Sequence, residues 1–166
     1  MKNVFGFILL ALGMPALLLF TGCDPQKKIA GNYQHDIECM GNSLDGSEII
    51  KAWGTGKNRE VAIDMAEKNA LHAVLFNGII KGTGSCDVKP VVPEVNAEQN
   101  YEKYFNSFFA DGGKYKSFVS LKNEPRVPLK KKDREVGIKD VEFGVVVTVM
   151  RSQLKQQLIT DGILKK

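Results

Sequence analysis

Residues 141–150 alternate with a period of two: Val141, Phe143, Val145, Val147 and Val149 interleave with Glu142, Gly144, Val146, Thr148 and Met150. That period sends successive side chains to opposite faces, so a run this regular predicts a strand and excludes an amphipathic helix. The second set is polar in its first half and apolar in its second, which predicts a strand with one wet face at its start and two buried faces at its end. Such a strand sits inside a sheet. The rest of the chain must supply its neighbours and a layer to cover it.

Residues 37–40 and 48–53 read as two further strands around Asn42-Ser43-Leu44-Asp45-Gly46, whose Asp-Gly pair suits a hairpin turn. Gly54-Thr55-Gly56 ends the second, and Asn58 is placed to cap a helix running to about Asn77-Gly78. Ala62, Ala66, Ala70, Ala73 and Val74, with Met65 beside them, follow helical spacing, and small residues on that face permit close approach to a sheet. Gly82, Gly84, Pro90 and Pro93 make residues 79–95 an irregular crossing. Asn96 with Gln99 resembles a capping box that opens a helix over 97–110, ended by Asp111-Gly112-Gly113. In it Tyr101, Tyr104, Phe105, Phe108 and Phe109 form one aromatic stripe, expected mostly in the core. Residues 115–121 read as a strand, a basic loop with Pro125 and Pro128 follows, and 151–161 close the chain as a helix with Leu154 and Leu158 inward. The order β-β-α-α-β-β-α predicts an α+β fold, an antiparallel sheet of about four strands with helices packed on one face.

The first 22 residues carry a different pattern. Met1-Lys2-Asn3 is a short positive segment, and 4–20 is apolar without a charge. As a helix it would extend about 25 Å, short of the ~30 Å of a bilayer core, and Gly6, Gly13 and Pro15 weaken it. It reads as an export signal. The following Thr21-Gly22-Cys23 resembles the lipobox of bacterial lipoproteins, although Phe20 stands where leucine is usual. The resemblance implies cleavage before Cys23 and a diacylglycerol on its thiol; two or three acyl chains, at about 0.8 kcal/mol per buried methylene, hold a protein on a bilayer without a spanning helix. The expected organisation is a signal over 1–22, a lipidated Cys23 with a polar tether over 23–35, and one domain over 36–166. Asp24 resembles the inner-membrane retention signal of enterobacterial lipoproteins, whereas Asp24-Pro25-Gln26-Lys27-Lys28 resembles the export tethers of surface lipoproteins in the Bacteroidota. The cell envelope is the expected location, the outer membrane ahead of the inner.

Loss of the leader, which holds Lys2, leaves 144 of 166 residues with 22 basic and 19 acidic side chains, a net of +3. The charge is unevenly placed: residues 24–113 hold 9 basic and 13 acidic side chains, and residues 114–166 hold 13 and 6. Arg126, Lys130, Lys131, Lys132 and Arg134 concentrate the excess in one segment. That patch suits an anionic envelope polymer, lipid headgroups or an acidic envelope protein, or is a solvated loop. Nucleic acid is not expected, since the segment lacks interleaved aromatics.

With Cys23 assigned to lipid, Cys39 and Cys86 remain. They form either one bridge, closing a loop worth on the order of 4 kcal/mol in the chain-entropy picture, or two buried thiols. Gly54-Thr55-Gly56-Lys57-Asn58 lacks the spacing of a phosphate loop, with Lys51 and Asn58 where Gly and Ser or Thr are needed, and reads as a tight turn with a cap. His35 and His72 have no metal-ligand spacing, and His72 is expected to be partly exposed. Glu60, Asp64 and Glu67 are expected on a solvated helix face. No catalytic set and no cofactor is expected. Ala52-Trp53-Gly54-Thr55-Gly56 followed by Ala62, Ala66 and Ala70 looks like the small α+β domain of lipoproteins in flagellar outer-membrane and related envelope assemblies. That resemblance implies a noncatalytic assembly or scaffold role. A small-ligand-binding lipoprotein with the aromatic helix 97–110 as a pocket wall is the alternative.

Overall fold

A computed structural model of the chain describes residues 36–122 and 140–165. Strand β1 (Glu38–Asn42) turns into β2 (Glu48–Gly56), and the two pair antiparallel from Glu38↔Lys51 to Asn42↔Glu48. The turn is closed by the Ser43 N–H donating to the Ser47 carbonyl (2.8 Å), while the Asp45 carboxylate accepts both the N–H and the hydroxyl of Ser47. The nine residues of β2 pair with β4 (Val141–Val149), Glu48 opposite Val149 and Gly56 opposite Val141. A short β3 (Val119–Leu121) joins the last three residues of β4 from the other side, giving a four-stranded antiparallel sheet in the order β1-β2-β4-β3. With its helices this is the α+β fold expected from the order of elements.

Helix α1 (Arg59–His72) begins where Asn58, in extended conformation, accepts the Val61 N–H on its side-chain oxygen (2.9 Å), satisfying one of the otherwise orphaned amides of the first turn. Asn58→Ala is expected to cost about 1 kcal/mol, read as a lowered thermal midpoint. Ala62, Ala66 and Ala70 are fully buried, as their spacing predicts. The helix continues as a π-helical turn (Ala73–Asn77) and stops at Gly78. At the other end of the chain α4 (Arg151–Thr160) buries Leu154 and Leu158. These leucines join Ile50, Leu71, Val147, Phe105, Phe108, Phe109 and Phe118 in one core.

Three local expectations are corrected. The helix over 97–110 is two pieces, α2 (Ala97–Asn100) and α3 (Glu102–Phe108), broken at Tyr101. Asn96 adopts a left-handed conformation and makes no side-chain cap; instead the Glu94 carboxylate accepts from the Asn100 amide (2.9 Å) and the Tyr101 hydroxyl (3.3 Å). The predicted strand over 115–121 is a 3₁₀ turn (Lys114–Phe118) followed only by β3. Tyr115 and Phe118 explain the change: both are buried, and a three-residue spacing puts them on the same side of a 3₁₀ turn but on opposite faces of a strand. The third correction concerns β4, whose Val146 and Thr148 are half-buried, not buried. A central position closes the edges of a strand and leaves its face to whatever packs there.

Candidate functional site

Alternation along β2 divides the sheet into two faces. Glu48, Ile50, Ala52, Gly54 and Gly56 are buried, Ile49, Lys51 and Trp53 are half-buried, and Thr55 is exposed. Helix α1 packs on the buried face. Its closest approach is at Gly54, where a side-chain carbon would overlap the Ala62 carbonyl oxygen and the Ala66 nitrogen. Gly54, Thr55 and Gly56 are thus the last three residues of β2 and not a tight turn, and the glycines serve helix–sheet contact. Next to Gly54, Asn69 donates its side-chain N–H to the Trp53 carbonyl (2.7 Å).

The other face carries the one tryptophan of the chain. Gly144 lies opposite Trp53 in the ladder, and a carbon added there would sit 2.8 Å from the indole nitrogen, so the ring spreads over the bare backbone of β4. Lys51 sets its ammonium 4.6 Å from the indole centroid and donates to Glu38 at 3.3 Å. An indole, a cation and a carboxylate thus lie together on a half-open sheet face, an arrangement suited to contact with another surface.

Of the carboxylates expected on a wet helix face, Glu60 is exposed as expected, Asp64 is half-buried and Glu67 is built into the interior. Glu67 and Lys68 are buried. Lys68 donates to Asp64 (2.9 Å) and Asp111 (3.1 Å), Lys116 reaches Asp64 and Glu67 (2.7 Å to the latter), and the Tyr115 hydroxyl donates to Asp64. Burial works against an ionised Asp64, yet the hydrogen bonds from Lys116, Tyr115 and Lys68 hold it below the usual carboxylate value. The same burial and the nearby Asp64 carboxylate push the Tyr115 hydroxyl far up. Each acid in this set has a cation as partner, so the cluster fastens α1 to the 3₁₀ turn and presents no poised base.

His72 is likewise buried, not partly exposed. Its ring lies 4.9 Å from Phe76 and 6.4 Å from Phe109, with Nε2 3.2 Å from a Glu98 carboxylate oxygen. Burial lowers its pKa from 6.5, and Glu98 opposes that shift in part. A histidine depressed in the folded state binds fewer protons than the unfolded chain, so stability falls as pH drops below about 6.5. Urea midpoints at pH 7.5 and 5.5 should therefore differ more for the parent than for His72→Phe, by at most about 1.4 kcal/mol per pH unit for this one proton.

A second buried acid escaped sequence reasoning. Glu48 accepts the Asp87 N–H (2.7 Å) and faces Arg151 at 3.7 Å; Arg151 also holds Asp87 (3.1 Å) and the Lys89 carbonyl (2.6 Å). Burial raises the pKa of Glu48. The signal was available, since Glu48 is in phase with Ile50 and Ala52 along the strand.

Cys39 and Cys86 are joined by a disulfide. Phe105, Phe108 and Phe109 fill the core, and only Tyr101 and Tyr104 of the aromatic stripe reach outward. Tyr104 donates to Asp161 (2.7 Å), which ties α3 to the end of α4. Cys23, His35 and the basic residues Arg126, Lys130, Lys131, Lys132 and Arg134 lie outside the described residues. Among the described residues there is no group of three or more His, Cys, Asp or Glu side chains able to hold a metal ion, and no helix long and apolar enough to cross a membrane. Compared with protein-family models, with curated proteins and with solved structures, the chain matches none of them.

Proposed function

We propose that this chain is a lipid-anchored protein of the bacterial cell envelope, held on the membrane through Cys23, whose α+β domain is a noncatalytic assembly or binding component. The observation that carries the reading is the division of the three cysteines. One follows an apolar leader and two small residues, and the other two form a disulfide, the state that persists in exported and not in cytosolic compartments. A binding role is supported by one surface of the described domain and by one feature of the sequence. The half-open sheet face presents Trp53, Lys51 and Glu38, and the sequence concentrates Arg126, Lys130, Lys131, Lys132 and Arg134 in one segment. The buried ionisable groups hold elements together, which leaves contact with a partner as the work this domain is best equipped for.

The partner favoured by the charge is an acidic envelope protein or anionic polymer. Charge attraction of this kind weakens with salt. Envelope extracts passed over the immobilised protein should yield partners whose recovery falls as salt rises, and replacement of Lys130, Lys131 and Lys132 by alanine should reduce both recovery and salt dependence. Unchanged recovery and salt dependence for every partner would remove the basic segment from the account.

A further inference from the structure

The crossing between the π-helical turn and α2 covers the outer edge of the sheet by unusual means. Cys39 donates its N–H to the Lys81 carbonyl (2.8 Å) and accepts the Gly84 N–H on its own carbonyl (3.3 Å), so residues 80–85 lie as a strap along β1. The approach is backbone to backbone. A side-chain carbon on Gly82 would overlap the Cys39 backbone, and one on Gly84 would overlap Gly41.

The strap contributes almost nothing to the core. Ile80 is 83% exposed, residues 81, 82, 83 and 85 are exposed, and Gly84 is half-buried. Its side-chain ties are a solvent-exposed ion pair between Lys81 and Asp36 and a hydrogen bond from the Asn42 amide to the Ser85 carbonyl (3.2 Å). Exposed contacts of this kind hold little. Beyond Cys86 the situation differs: Asp87 and Lys89 are held by Glu48 and Arg151, and the Val91 and Val92 N–H groups donate to the carbonyls of Val74 and Leu75 (both 2.9 Å). Before the strap, Ile79 is buried in the core and donates its N–H to the Asp87 carbonyl (3.4 Å), so both ends of the crossing are anchored independently of the disulfide and only the strap between them, residues 80–85, depends on it.

We infer that the Cys39–Cys86 bond is a redox latch on the β1 edge. A dithiol reductant supplies two electrons and two protons, closing to its own disulfide, and leaves Cys39 and Cys86 as thiols. The strap then leaves β1, and the Cys39 N–H and carbonyl become an open strand edge while the sheet, α1 and residues 87–92 stay in place. Unpaired edge groups of this kind are what another strand pairs with, so oxidation keeps that edge closed. This inference does not depend on the lipid anchor or on the basic segment.

Amide hydrogen exchange on the full chain, oxidised and then reduced with a dithiol, tests it residue by residue. Reduction should speed exchange at Cys39 and Gly84 by on the order of a hundredfold, while Val91, Val92 and the β4 amides of Val145 and Val147 keep their protection. Unchanged protection at Cys39 overturns the latch. Equal loss at Cys39 and in β4 also overturns it, because the bond is then a staple of the whole domain and not a local fastening.

Discussion

Gly54→Val should destabilise the chain by upward of about 3 kcal/mol, read as a strongly lowered urea unfolding midpoint. Overpacking in a protein interior commonly costs about 1–3 kcal/mol when neighbouring side chains can shift. At Gly54 the obstacles are the Ala62 carbonyl and the Ala66 amide nitrogen, both main-chain atoms of α1, so relief requires moving the helix off the sheet. That displacement would also open the contacts of Ala62, Ala66 and Ala70, which are fully buried. The expected cost is upward of about 3 kcal/mol, a large share of the ~5–15 kcal/mol that stabilises an ordinary domain. Thr55→Val is the matched control: the neighbouring residue is exposed, and its replacement should shift the midpoint by less than about 0.5 kcal/mol. Circular dichroism against urea concentration would compare the two. A Gly54→Val protein as stable as the parent would mean that α1 does not sit on β2 as described.

The second large effect belongs to Phe108. Its ring stacks on Phe118 with centroids 6.0 Å apart and meets Phe109 edge-on at 5.1 Å, and the residue is 2% exposed. Phe108→Ala should cost about 3–5 kcal/mol, combining lost transfer free energy with the cavity left behind. This result also bears on the pocket-wall role considered for the aromatic helix. A ring that fills the core loses stability when truncated, whereas a ring that lines a ligand pocket loses affinity with little change in the unfolding midpoint. Urea unfolding of Phe108→Ala separates the two, and a shift below about 1 kcal/mol would contradict the packing described for α3.

Much of the fold was legible because period and spacing act locally. The two-residue alternation of 141–149, the Asp45-Gly46 turn, the Asn58 cap and the alanine spacing of α1 each state a backbone conformation within a few residues, and each appears at that place. What the sequence hid depended on partners far along the chain. Glu67 is buried because Lys116, 49 residues later, folds back to it, and His72 is covered by Phe109, just past the end of α3, and meets Glu98, 26 residues later. Helical spacing cannot report such returns, so acids with nearby lysines read as a solvated face. The 3₁₀ turn at Lys114–Phe118 was hidden for a related reason: apolar and aromatic residues there suit a strand locally, and only the shared core position of Tyr115 and Phe118 decides otherwise. The candidate surfaces divide in the same way. Trp53 was visible as part of a strand end, on the same face as Lys51 by the two-residue period, whereas its place over Gly144 required the register of β2 against β4.

The charge partition of the chain, 9 basic to 13 acidic residues over 24–113 and 13 to 6 over 114–166, also changes weight once the contacts are known. Several cations of the second group are already engaged: Lys116 with Asp64 and Glu67, Lys114 with Asp161, and Arg151 with Asp87. The cations named for partner binding, Arg126, Lys130, Lys131, Lys132 and Arg134, lie outside the described residues.

The central claim is that Cys23 carries lipid, and metabolic labelling with a radioactive fatty acid tests it most directly. Cells producing the parent chain should yield a labelled protein in the membrane fraction, cut before Cys23, and cells producing Cys23→Ser should yield an unlabelled, uncut one. If the Cys23→Ser protein is exported, cut and held at the membrane like the parent, the lipid-anchor account is contradicted.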